Sequence, residues 1–71
     1  MRIPRDINGT AAVRALIGLG FEEMHQTGSH RILRKGSTTV VVPMHKPIKP
    51  GTLRGMIEQS GEEPDLFLQS L

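Results

Sequence analysis

The stretch Thr27-Gly28-Ser29-His30-Arg31-Ile32-Leu33-Arg34-Lys35-Gly36-Ser37-Thr38-Thr39-Val40-Val41-Val42-Pro43 decides how this chain folds. Residues 38–42 are rich in β-branched side chains, which are stiff at χ1 and pack well on a pleated surface, so they are predicted to form a strand. Pro43 ends that strand, because it has no N–H for a ladder. Thr27-Gly28-Ser29 and Lys35-Gly36-Ser37 place Gly and Ser where tight hairpin loops demand them. Residues 30–34, between the two turns, read as a second strand, and residues 21–26 as a first. Loops this short join antiparallel neighbours, so the three strands are predicted to form a meander.

The flanks read as helices. Asn8-Gly9-Thr10 is a helix start signal, with Thr10 taken as the N-cap. Val13, Leu16 and Ile17 follow at helical spacing, and Ala12 and Leu19 extend the apolar stripe. Gly18 weakens the last turn, and Gly20 suits the C′ position. Residues 43–49 are predicted to be an extended loop, since Pro43 and Pro47 restrict the residues before them. Pro50 suits the first turn of a second helix with the stripe Leu53, Met56 and Ile57, stopped by Ser60-Gly61. A short third helix is predicted from Pro64, with its acids at the N-terminal end where the helix dipole favours them. The order α-β-β-β-α defines an α+β fold: a three-stranded antiparallel sheet with two helices on one face and a short C-terminal helix. The other face of the sheet is left for solvent or a partner.

Seventy-one residues are expected to form a single domain over 1–71, too short for a barrel enzyme or a dinucleotide-binding fold. With two Phe and no Trp or Tyr, the core must be built from Leu, Ile, Val and Met. The absence of Cys excludes disulfides and thiolate zinc sites. No apolar run approaches the ~18 residues that span a bilayer, and the opening residues lack a secretory apolar region. The expectation is a cytoplasmic protein without membrane contact.

The formal net charge is +2, but the charges are segregated. Residues 1–23 balance Arg2, Arg5 and Arg14 against Asp6, Glu22 and Glu23. Residues 24–57 hold Arg31, Arg34, Lys35, Lys46, Lys49 and Arg54 and no acid, and residues 58–71 hold Glu58, Glu62, Glu63 and Asp65 and no base. The middle block is either a solvated basic surface or one that attracts phosphates. Lys46, Lys49 and Arg54 bracket the start of the second helix. Lysines there oppose the helix dipole unless an anion binds among the free N–H groups.

Three histidines, His25, His30 and His45, supply the side chains that titrate near neutrality. His30 adjoins a tight turn, opens a strand and is followed by Arg31 and Arg34, which is how a phosphodiester-cleaving base would be held. Metal chemistry is poorly served, since no His-x-x-x-His occurs and no acid lies in the basic block. No metal and no cofactor is expected. Ser29 and His30 make a poor nucleophile–base pair, because strand neighbours point to opposite faces.

Gln26-Thr27-Gly28-Ser29-His30, the β-branched strand ending Val41-Val42-Pro43, then His45, then Lys49-Pro50-Gly51-Thr52-Leu53-Arg54 form an ordered set of blocks that resembles the HicA toxins. Leu19-Gly20-Phe21 and the opening Pro4-Arg5-Asp6-Ile7-Asn8-Gly9 fit the same family, so nearly the whole chain is covered. The resemblance implies a fold like the double-stranded-RNA-binding domain. It also implies an endoribonuclease that cleaves messenger RNA and arrests translation, held inactive by a HicB antitoxin. The family's catalytic His falls on His30. Many members carry a second His directly after it, where this chain has Arg31.

Metal-free cleavage fits that residue type: the RNA 2′-OH attacks its own phosphorus, a base takes its proton, an acid protonates the leaving oxygen, and cations stabilise the phosphorane. His30 is the candidate base. His45 is the candidate acid, with water or a lysine as the alternative. Ser29, Arg31, Arg34, Lys46, Lys49 and Arg54 are the candidate RNA ligands. Two other functions use the same basic surface. One is a non-catalytic RNA-binding module, which would bind RNA without cutting it. The other is an interaction domain for an acidic partner, which would have no RNA affinity at low salt.

Overall fold

The computed structural model describes residues 2–44 and 47–71. Its elements are α1 (Gly9–Gly18), β1 (Glu22–Thr27), β2 (His30–Lys35), β3 (Thr38–Pro43), α2 (Pro50–Ser60) and α3 (Pro64–Gln69). The strands form one antiparallel sheet in the order β1-β2-β3. The expected α+β order is therefore present, with both strand connections reduced to two residues, Gly28-Ser29 and Gly36-Ser37. Gly28 has φ 57°, a backbone state that glycine adopts without the steric cost other residues meet.

Strand alternation separates two faces. Leu33, Val40 and Val42 are fully buried and face the helices. Their partners in the core include Leu16 of α1, Leu53 and Ile57 of α2, and Phe67 of α3. His30, Ile32 and Arg34 fall on the opposite face by alternation, which carries no helix. There Val41 lies beside Ile32 and remains 39% exposed. α3 packs against both α1 and α2, so the acidic tail is a structural part of the helical layer. Both Phe residues are spent in the core, at 3% and 0% exposure.

Two local expectations need correction. The N-cap of α1 is Asn8 and not Thr10: the Asn8 Oδ1 accepts the Ala11 N–H at 3.0 Å. The helix starts two residues earlier than read, and Gly9 enters it pressed against Met44, where only a residue without Cβ fits. Ile17 is 50% exposed and not part of the buried stripe. That stripe runs through Ala12, Val13, Ala15 and Leu16, so two alanines bring the helix close to the sheet and rotate Ile17 outward.

Candidate functional site

The Gly28-Ser29 turn delivers His30 as the first residue of β2, paired with Thr27 on one side and Pro43 on the other. The Ser29 carbonyl accepts the Met44 N–H at 2.6 Å, so the exit of β3 is tied to the same turn. The chain then returns toward α2 through Ile48, which is buried at 2% exposure in the core. Ile48 is also fixed from outside the loop. Its N–H donates to the Ile7 carbonyl at 2.6 Å in an isolated antiparallel bridge.

Lys49 is the N-cap of α2, and no side chain caps the helix. Pro50 has no N–H, and no acid lies in the first turn. The N–H groups that begin a helix have no intrahelical acceptor, and with the helix dipole they favour an anion. His30, Pro43, Pro47, Ile48, Lys49 and Thr52 together line an open cleft of about 510 Å³. An imidazole, an ammonium and a helix N-terminus thus share one concave surface, the equipment for handling a phosphodiester. Ile48 carries no polar or charge signal to mark it as a cleft residue, and the lone hydroxyl of Thr52 is too common a signal to single it out. The Pro-Gly-Thr run at the helix start was the nearest clue to Thr52.

The other candidates lie elsewhere or outside the description. Ser29 is exposed in the turn beside His30. Arg34 falls on the same sheet face as His30 but four residues along the strand, about 13 Å at strand spacing, and its Nε donates to the Gly36 carbonyl at 2.8 Å. Arg31 falls on the helix-side face with Leu33. Its Nη1 is 3.5 Å from Glu23 Oε1, and its Nε is buried with no hydrogen-bond partner among the described residues. Arg54 Nε is 3.3 Å from Glu58 Oε1, one turn along α2. His45 and Lys46 lie outside the described residues.

The fold also redraws the charge map. Arg31, Lys35 and Arg54 of the basic block stand against Glu23, Glu62 and Glu58, all from outside that block. Among the described residues no ion pair engages Lys49 or Arg34. No group of three or more His, Asp or Glu among the described residues is placed to hold a metal ion.

The two-layer α-β-β-β-α order matches the expectation drawn from the sequence. The family model for the HicA toxin of bacterial toxin–antitoxin systems matches residues 9–62, and the chain belongs to that family. It is therefore the toxin of a toxin–antitoxin system, and an antitoxin is its partner. Comparison with curated proteins gives no match. No helix among the described residues is long and apolar enough to cross a membrane.

Proposed function

We propose that this toxin is a metal-independent endoribonuclease that cleaves messenger RNA in the cytoplasm, with His30 as general base, and that a HicB-like antitoxin holds it inactive. The observation that carries this reading is the shared cleft: His30 at the start of β2 and Lys49 at the uncapped N-terminus of α2 line the same surface.

The reaction needs little else from the protein. The RNA 2′-oxygen bonds to the adjacent phosphorus as its proton passes to the His30 imidazole. The bond from phosphorus to the 5′-oxygen breaks, and that oxygen leaves with a proton from an acid or water. The products are a 2′,3′-cyclic phosphate and a 5′-hydroxyl. Lys49 and the first N–H groups of α2 are suited to the charge that builds on the phosphorane. His45 is retained as the candidate acid by residue type. A positioned acid or base contributes about 10²–10⁴-fold each, so a site with one firm histidine makes a slow enzyme, which a toxin tolerates.

Binding must be chiefly electrostatic. With no Trp or Tyr and both Phe buried, the chain offers no exposed Phe, Tyr or Trp ring on which bases could stack. Ser29, Arg31, Arg34, Lys46, Lys49 and Arg54 are the proposed phosphate contacts. Those already paired with carboxylates contribute less than Lys49.

The test is cleavage of a defined single-stranded RNA by the purified toxin and its His30→Ala variant. The parent is expected to cut and the variant to bind without cutting, with an unchanged circular dichroism spectrum. A parent that binds RNA without cutting would make the chain a non-catalytic RNA-binding module. An equally active variant would remove His30 from the mechanism.

A further inference from the structure

We propose that the N-terminal arm, residues 2–7, forms part of the RNA-binding surface, with Arg5 and Arg2 contacting phosphates that flank the one at the cleft. This rests on the proposed ribonuclease function. The arm precedes the family-matched residues 9–62 and belongs to no strand or helix. Its position is nevertheless fixed. Ile3 and Ile7 pack against the core, and the Ile7 carbonyl holds the N–H of Ile48, a residue that lines the cleft between Pro47 and Lys49. The bridge is antiparallel, so the chain before Ile7 sets out on the Lys49 side of Ile48. Asp6 then turns the chain with φ 62°, a left-handed state that Asp tolerates better than most residues. Arg2 and Arg5 are both exposed. An arginine two residues from the bridge has the reach to meet a strand lying across the cleft mouth.

The charge map supports the same conclusion. In sequence the arm belongs to an electrically balanced segment, and the net positive charge lies further on. In the fold, Arg31, Lys35 and Arg54 are committed to carboxylates, whereas no ion pair among the described residues engages Arg2 or Arg5. Among the described residues, the cations without an ion pair thus include Lys49 of the cleft and the arm's two arginines. Their guanidinium groups suit phosphate oxygens, which they can grip in bidentate fashion. Asp6 is the arm's one carboxylate, exposed and poised to oppose an approaching phosphate.

The experiment compares the parent, an Arg2→Ala/Arg5→Ala double variant, the matching Arg→Lys double variant and Asp6→Asn, all as full chains. Cleavage of a single-stranded RNA longer than the cleft gives KM and kcat. Binding to the same RNA is followed against salt in a His30→Ala background. The Ala double variant is expected to raise KM several-fold and to lower the salt slope by about 0.7 per lost contact. The Lys variant should recover most of the slope, and Asp6→Asn, which keeps a side chain tolerant of left-handed backbone, should tighten binding. Unchanged KM and slope in the Ala double variant, with an active parent, would overturn the arm's role and leave the ribonuclease reading intact. A parent that neither binds nor cuts RNA would overturn that reading and this inference with it.

Discussion

Gly9 and Met44 meet so closely that a Cβ on Gly9 would stand 2.8 Å from the Met44 Cα and 2.9 Å from the Pro43 carbonyl oxygen. The contact joins the first turn of α1 to the exit of β3, where the chain leaves toward the cleft. Two of the obstructing atoms belong to the backbone and cannot be relieved by a rotamer change. Gly9→Ala is therefore expected to destabilise the protein by about 1–3 kcal/mol, the usual cost of overpacking. In a domain of this size that lowers the melting temperature by several degrees for each kcal/mol lost. A melting curve that matches the parent would show that the contact yields freely.

The cap of α1 gives a second test. Asn8 loses its hydrogen bond to the Ala11 N–H when replaced by Ala, and such losses cost about 1 kcal/mol. Thr10 lies inside the helix and is exposed, so Thr10→Ala should leave stability nearly unchanged or raise it slightly. Denaturant midpoints for the two variants separate the assignments. A larger loss for Thr10→Ala would restore it as the cap.

These two residues also show what the sequence could and could not reveal. The strands were legible because β-branched runs and Gly-Ser turns are local signals, and α2 was legible from Pro50 at one end and Ser60-Gly61 at the other. The start of α1 was misread because Gly9 is constrained by Met44, which is 35 positions away in the chain. Ile17 was misplaced because side-chain hydrophobicity outweighs alanine in a stripe, whereas packing distance favoured Ala12 and Ala15. His30 stands out in the sequence by its turn, and Lys49 by its place before a helix. The shared cleft was not legible, since it depends on contacts between distant segments such as the Ile7–Ile48 bridge.

Lys35 gives a third test, of that non-local wiring. Its Nζ donates to the Leu19 carbonyl at 2.8 Å and to Glu62 at 3.1 Å, and lies 5.8 Å from the centroid of the Phe21 ring. One ammonium thus ties the end of β2 to the end of α1 and to the segment before α3. Its side chain is 46% exposed, so the ion pair with Glu62 is weakened by solvent. The bond to the carbonyl and the ring contact remain. Lys35→Ala should cost about 1 kcal/mol and Glu62→Gln less. Equal losses in thermal denaturation would mean that the ion pair dominates.

A fourth prediction separates free from committed cations. Lys49→Ala should weaken RNA binding across unrelated sequences and lower the salt slope by about 0.7, without changing which sequence is cut. Arg54→Ala should lower it less, because Arg54 already stands against Glu58. An antitoxin that covers the cleft with acidic groups should lose affinity to Lys49→Ala as well, mainly at low salt. Filter binding at several salt concentrations distinguishes these outcomes. A salt-independent affinity would point to apolar contact, through the exposed sheet face around Val41, in place of phosphate binding.

The last prediction concerns metal. If His30 takes the 2′ proton, the nucleophile is the RNA itself, and no metal-bound hydroxide is required. The purified toxin should cut RNA at the same rate in excess EDTA as in Mg²⁺, apart from the salt effect of the added ions. The 5′ fragments should end in 2′,3′-cyclic phosphate or, after its hydrolysis, 3′-phosphate, and the 3′ fragments should begin with a 5′-hydroxyl. An RNA with a single 2′-deoxyribose at the cleaved position should bind as the parent RNA does and stay intact. End-group analysis by mass spectrometry reads both points at once. Cleavage of the deoxy substrate, or activity lost in EDTA and restored by Mg²⁺, would replace the 2′-OH mechanism with water activated by a metal. No group of three or more His, Asp or Glu among the described residues is arranged to hold that metal, so such a result would direct attention to ligands supplied jointly by the protein and the RNA phosphates.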